Sequence, residues 1–189
     1  MRPVQKMRAA ELKGPMDYFL TSARMGFRNW AAADLPLALE LWTDAKVTGL
    51  IGGPFTPAAV QSRLAQEIEQ AREFGVQYWP VFLLQDGRHA GCAGLRPYRA
   101  EQKIYELGIH LRPGFWGQGY AEELARCLID YAFDRLNVAA LFAGHHPDNA
   151  GSRRLLEKLR FTYTGDQHYI PTGLMHPTYL LRNEAHPTT

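Results

Sequence analysis

The chain is poor in several things, and each shortage removes a class of protein. Only two cysteines, Cys92 and Cys127, occur in 189 residues, too few for a disulfide framework or a cysteine-based zinc site. Both lie in apolar contexts, which suits buried free thiols in a reducing compartment, and the sequence is expected to be cytoplasmic. No stretch approaches the roughly 20 apolar residues of a membrane span. Arg2, Lys6 and Arg8 are followed by no apolar segment, so no secretory signal is read. The formal charge is only +2, and no dense Lys/Arg run occurs, which argues against a nucleic-acid partner. Repeats, low-complexity tracts and domain linkers are also missing. Residues 1–18 read as a loosely ordered N-terminal extension, and residues 19–189 as one domain.

What is present reads as alternating strands and helices. Residues 18–30 suggest a first strand. Asp34 is expected to cap a helix reaching Asp44, and Thr56 with Pro57 a helix over 57–74 carrying Val60, Leu64 and Ile68 on one face. Residues 49–57 form a turn-rich connector. Residues 78–98 read as a hairpin turning at Asp86–Gly87, and 103–111 as a third strand. The helix beyond residue 119 buries Ala121, Leu124, Ala125, Leu128 and Ala132. The apolar run 137–145 suits a strand covered on both faces. A short helix over 149–159 and a closing β pair complete a mixed α/β layer structure.

The segment "LRPGFWGQGYAEE" (111–123) holds Gly114, Gly117 and Gly119 just before that glycine-free helix. Glycine tolerates positive φ and close approach of another group. The first N–H groups of a helix lack intrahelical partners and carry the positive end of its dipole. Together these make an anion cradle, here the amides from Gly117 to Ala121, with Arg112 at its rim. A tight turn that only solves a steric problem would look the same. Two phosphate motifs fail. Tyr120 and Ala121 stand where the Walker pattern needs Lys and Ser/Thr, and Glu122 where GxGxxG needs its last glycine.

Four segments together carry a resemblance: "ELGIHLRPGFWGQGYAEE" (106–123), "NAGSRRLLEKLRF" (149–161) and, ahead of them, "TSARMGFRNWAAAD" and "GRHAGCAGL". In this order the chain, from about residue 20 onward, resembles the GNAT acetyltransferase family. The branch containing the ribosomal-protein N-terminal acetyltransferases is the most similar. The family's pyrophosphate loop, [RQ]xxGx[GA], falls on Trp116, Gly119 and Ala121; an aromatic first position departs from the general pattern but is common in this branch. The resemblance implies a GNAT fold: a mixed, mostly antiparallel sheet of about six to seven strands with about four helices on its faces. It implies acetyl-CoA as cosubstrate, held by Trp116, Gly117, Gln118, Gly119, Tyr120 and Ala121, with Arg112 nearby. Main chain near Ile109 and Leu111 would meet the acetyl oxygen and the pantetheine arm.

The acceptor would be a primary amine attacking directly, since neither cysteine sits in a nucleophile context. An α-amine is about 10% neutral at pH 7 and a lysine amine well under ~0.1%, so a base helps. Strand alternation in "IYELGIHL" puts Tyr105, Leu107, Ile109 and Leu111 under the following helix and Ile104, Glu106, Gly108 and His110 on the opposite face. Glu106 matches the family's catalytic glutamate and is the candidate base or water-positioner; a solvated strand face, or a charge that only attracts the amine, is the alternative. His110 reads as structural. Asn149 reads as a helix N-cap, and Ser152 falls on the leucine face with Leu155, Leu156 and Leu159. The resemblance makes Asn149 a pantetheine ligand and Ser152 the proton donor to the CoA sulfur; a back-bond to the helix is the rival role for Ser152. Tyr163 and Tyr169 are rival acids. Arg160 replaces the family's glycine before Phe161 and implies a different turn. His145–His146 lacks the companions of a metal site, and no metal is expected. The connector with Phe55 lies where the family forms its acceptor pocket. A protein N-terminal α-amine, a small-molecule amine (amino acid, polyamine or aminoglycoside) and a non-catalytic acyl-CoA sensor remain open. So does a nucleotide-binding enzyme. Homodimers occur in the branch, and no surface stripe demands one.

Overall fold

A computed structural model describes residues 17–184, so the expected extension lies almost wholly outside the described residues. β1 (Leu20–Thr21) and β2 (Met25–Phe27) form a small hairpin. α1 (Leu35–Trp42), α2 (Ala45–Thr48) and α3 (Pro57–Phe74) follow. β3 (Tyr78–Leu83), β4 (His89–Arg99) and β5 (Ile104–Leu111) make a meander. α4 (Tyr120–Asp130) leads to β6 (Ala140–Gly144), and α5 (Ala150–Lys158) to the closing hairpin of β7 (Thr162–Tyr169) and β8 (Leu174–Arg182).

All eight strands join one sheet in the order β1-β2-β3-β4-β5-β6-β8-β7. Every pairing is antiparallel except β5 with β6. The fold is the expected mixed, mostly antiparallel one, but with eight strands and five α-helices rather than six to seven and four.

The extra strand comes from the first segment. The expected single strand over 18–30 doubles back because Glu123 of α4 gathers its turn: Ser22 Oγ donates to Oε1 at 2.7 Å and the Arg24 N–H to the same oxygen at 2.7 Å. The extra helix is α2, between the expected end of the first helix at Asp44 and the connector. Thr56 caps α3 as expected, accepting from the Ala59 N–H at 3.2 Å with Pro57 behind it. Asp34 stands at the start of α1 but makes no cap bond. Its carboxylate is taken by Arg28 at 2.7 Å and the Ala31 N–H at 2.8 Å, which stabilises a 3-10 turn ahead of the helix.

The sheet carries a core on each face. One is apolar and large: Leu95, Leu107, Leu124, Leu128, Leu141 and Leu156 are among its members, under α4 and α5. The other, under α1 and α3, holds Trp30, Trp42, Val60, Leu64, Tyr78 and Cys92. The buried stripe of α3 is Val60, Leu64 and Glu67, with Ile68 only half-buried. A carboxylate therefore sits where the expected stripe placed only apolar side chains.

Candidate active site

β5 divides its side chains as alternation dictates. Leu107 and Leu111 are buried against α4, with Tyr105 and Ile109 partly so. Glu106, Gly108 and His110 face α3 instead, and this face is not solvated. Tyr78 lies across it: a Cβ on Gly108 would collide with the Tyr78 ring, so only glycine lets the ring cross. His110 packs edge-on to Tyr78 with centroids 5.6 Å apart, and its Nδ1 is 3.7 Å from the Cys92 Sγ. Burial holds the His110 ring neutral, well below the usual histidine range, with Arg63 and Arg96 adding to the effect. Burial also raises the Glu106 carboxyl, against the opposing pull of Arg96 and of the Tyr78 hydroxyl. A carboxylate raised in this way is the better proton acceptor at neutral pH.

The ladder between β5 and β6 pairs Ile104, Tyr105 and Glu106 with Ala140, Leu141 and Phe142, then ends. Among the described residues, β5 from Leu107 to Leu111 is paired only on the β4 side. Because the two strands are parallel, their C-terminal ends share one edge of the sheet. The chain leaves β5 into the glycine turn and α4, and leaves β6 into α5. The gap between the strands is thus flanked by two helix starts, the usual place for a ligand in a sheet with parallel neighbours.

Those starts differ. Gly117 and Gly119 have φ of 71° and 79°, the left-handed region that favours glycine. Gly119 stands at the N-cap of α4, where no side chain bonds the first amides. Gln118 turns its amide back to the Gly114 carbonyl at 2.9 Å, and Trp116 donates its Nε1–H to the Leu111 carbonyl at 2.7 Å. These bonds brace the turn from behind. Tyr120 is buried, with Arg24 over its ring at 4.2 Å from the centroid, so it offers the turn its amide and not its phenol.

Arg24 also donates to the Gln118 carbonyl at 3.2 Å and pairs with Glu123 at 2.6 Å. It is a cation at the glycine turn, and no local pattern points to it because it lies about 95 residues upstream. Arg112, expected at the rim, pairs with Glu40 of α1 at 3.0 Å and donates to the His89 carbonyl at 3.3 Å.

α5 opens with an Asn149 cap, Oδ1 accepting from the Ser152 N–H at 3.0 Å. Ser152 is half-buried on the leucine side, and Arg153, Arg154, Glu157 and Lys158 are exposed. Among the described residues the Ser152 hydroxyl forms no hydrogen bond, back-bonds to the helix included. Lys158 reaches Glu122 at 2.6 Å and ties α5 to the first turn of α4.

Of the two rival tyrosines, Tyr163 is exposed and donates to Asp166 at 2.8 Å. Tyr169 lies within electrostatic reach of Glu106, Arg63 and Arg96, and burial raises its phenol. Arg160, just beyond α5, stands in the left-handed region. It adopts φ of 63°, and the helix closes with the Phe161 N–H on the Leu156 carbonyl at 3.0 Å. His145 spends Nδ1 on the His146 carbonyl at 2.8 Å, and His146 Nδ1 accepts from the Asp148 N–H at 3.1 Å. Among the described residues no group of three or more His, Cys, Asp or Glu is arranged to hold a metal ion. The thiols are inert: burial pushes Cys92 up to about 12 and Cys127 to about 11.

Known proteins resemble the chain in sequence and in fold. Residues 24–162 match the acetyltransferase (GNAT) domain, and the chain belongs to the GNAT family: it is an acyl-CoA-dependent N-acyltransferase. Over 148 residues it is 28% identical to a Bacillus licheniformis protein named uncharacterized N-acetyltransferase p20, covering 77% of this chain and 83% of that one. The Bacillus subtilis protein YnaD, also named an uncharacterized N-acetyltransferase, is 25% identical over 82% of this chain and 89% of its own. Among solved structures, RimL, titled a ribosomal L7/L12 alpha-N-protein acetyltransferase in complex with coenzyme A, superposes with a TM-score of 0.77 at 15% identity. That match covers 90% of this chain and 100% of RimL. A GNAT acetyltransferase of Bacillus anthracis gives 0.75 at 22% identity over 87% and 98%. Among the described residues no helix is long and apolar enough to cross a membrane.

Proposed function

We propose that this chain moves acetyl from acetyl-CoA to an α-amine by direct attack. The observation that carries the proposal is the uncapped start of α4 at the end of the strand that bears Glu106. The amides of Gly117 to Ala121, with Arg24 beside them, fit a diphosphate. The unpaired stretch Leu107–Leu111 fits an arm with amide groups, and its main chain near Ile109–Leu111 would donate to the acetyl oxygen. Asn149, whose Oδ1 is occupied by the cap, has its side-chain NH₂ left for the same arm.

In this scheme Glu106 takes a proton from the acceptor ammonium, directly or through one water, and the neutral nitrogen attacks the thioester carbonyl. As the C–S bond breaks, Ser152 gives its proton to the leaving sulfur and recovers one from the attacking nitrogen, which sheds it to become the amide. No acyl-enzyme is involved, which agrees with two thiols held protonated far above neutral pH. An α-amine acceptor is supported by the fold shared with RimL, whose title names that chemistry. Its lower pKa also asks less of the base than a lysine would.

Release of free CoA thiol tests this, using peptides with free N-termini and the same peptides N-acetylated. Release should require the free amine and fall in both Glu106→Gln and Ser152→Ala. No release with any amine overturns acetyl transfer; wild-type turnover in both variants overturns the residue roles.

A further inference from the structure

The acceptor side of β5 holds an arginine that its neighbours do not satisfy. Glu67, fully buried on α3, is the hub. Its Oε2 accepts the Tyr78 N–H at 2.9 Å, and its Oε1 pairs with Arg96. Arg96 sits opposite Glu106 in the β4–β5 ladder. Arg63, one α3 turn before Glu67, only approaches the same Oε1, at 4.0 Å. One carboxylate thus stands between two guanidinium groups and is spent on one of them.

Arg63 is 16% exposed, and its Nε is buried without a partner. Among the described residues none of its N–H groups makes a hydrogen bond. Its guanidinium lies over the Trp42 ring at 4.6 Å and the Phe55 ring at 5.6 Å from their centroids. Ring faces orient the fork without accepting from its edge. A desolvated guanidinium with unspent edge donors matches a carboxylate, which can take two parallel N–H bonds. Phe55 belongs to the connector 49–57, and that connector meets the β7–β8 hairpin where Gly52 backs onto Pro171. Glu106, Arg63 and Tyr169, at the end of β7, act on one another electrostatically. Arg63 and Arg96 converge on Glu67, and Arg96 stands opposite Glu106 across the β4–β5 ladder, so the arginine and the candidate base lie on the same face of the sheet.

We propose that Arg63 binds a carboxylate of the acceptor, so that the substrate is a primary amine with a carboxylate a few atoms away. A free amino acid carries both groups, and so does a peptide beginning with Asp or Glu. A second ammonium group, as on a polyamine, would face the same guanidinium and be repelled. The proposal rests on the acetyl-transfer reading above and names its acceptor class.

The test pairs acceptors that differ in this charge, with rates compared per neutral amine because the carboxylate also raises the amine pKa: glycine against glycinamide, and aspartyl-alanine amide against asparaginyl-alanine amide, with spermidine as the cationic control. Thiol release is read for wild type, Arg63→Gln and Arg63→Lys, with thermal melting and CoA titration confirming that each variant is folded. In the wild type kcat/KM should favour the acid of at least one pair by about ten- to a hundredfold, as for a hydrogen-bonded ion pair. Whichever pair shows it identifies free amino acid or peptide as the source. Arg63→Gln should bring the ratio to within about twofold, chiefly by raising KM, and Arg63→Lys should fall between. Calorimetry of N-acetylglycine and N-acetylglycinamide on the CoA-loaded protein reads the same site without turnover. If no amine releases thiol, acetyl transfer fails, but tighter binding of the acid to wild type than to Arg63→Gln upholds the arginine's role. Equal handling of acid and amide by wild type, a preference that survives in folded Arg63→Gln, or spermidine as the best acceptor overturns the proposal.

Discussion

The two faces of the sheet solve opposite problems with the same strands. On the α4–α5 face, Leu107, Leu124, Leu128 and Leu156 pack into an apolar core. On the α1–α3 face, Glu67, Tyr78, His89, Arg96, Glu106 and His110 lie among Trp42, Val60 and Leu64. The first face is stabilised by area removed from water. The second loses some of that stability to desolvated polar groups and gains a set of shifted proton affinities in exchange. Water is scarce on the second face, and there burial can shift the proton affinity of a carboxyl.

Substitutions should separate the faces. The largest effect is expected on the charged side. Glu106→Gln should lower kcat by about 10²–10⁴-fold, the usual contribution of a positioned base. In the wild type the rate should rise with pH through an apparent pKa above the ordinary carboxylate range, since burial raises this group. A pH–rate profile of the variant should lose that limb.

On the apolar side, Leu124→Ala empties a fully buried site and should cost about 3–4 kcal/mol in urea unfolding, with kcat per folded molecule retained. If its kcat falls as far as that of Glu106→Gln, the two faces are not separable.

Acid should weaken the charged face. Burial, with Arg112 nearby, lowers His89 from 6.5 to about 4. Its neutral form is favoured by folding, so the stabilisation is complete above the unfolded pKa of about 6.5. It is lost as pH falls from there through about 4, because the unfolded chain binds the proton first. The loss is on the order of 3 kcal/mol for this group. Urea midpoints at pH 7.5 and pH 5 should show it, and His89→Phe, placed among Trp30 and Phe82, should reduce the slope. A flat midpoint over this range in the wild type would contradict the assignment.

The smallest effect sharpens the comparison at its margin. Arg160 holds φ of 63°, so Arg160→Gly should relieve left-handed strain and raise stability by about 1 kcal/mol. Differential scanning calorimetry should show a Tm higher by about 2–4 °C.

The apolar face was legible in the sequence, because α4 and α5 repeat leucine at helical spacing and β5 alternates. The positions of Gly117, Gly119, Glu106, Asn149 and Ser152 in their turn, strand or helix were legible as local patterns, while the roles proposed for the last three came from the family resemblance. What escaped was long-range polar pairing. Glu123 folds the first strand into a hairpin about 100 residues away in sequence. Arg24 reaches the glycine turn across a similar distance, and Arg112 turns to Glu40. No periodicity encodes such partners. One signal was available: Glu67 shares the buried stripe of α3 with Val60 and Leu64, and a carboxylate on an apolar stripe demands a buried cation. Arg160 stands at a φ that favours glycine, and helix closure offsets its modest backbone penalty.

The parting of β5 from β6 beyond Glu106 has a wider consequence. A strand whose peptide groups face an empty lane offers a guest molecule bonds that any amino-acid sequence can supply. Affinity built on such a lane survives the drift of nearly every side chain, leaving the opposite side of the sheet free to be rewritten for a new amine.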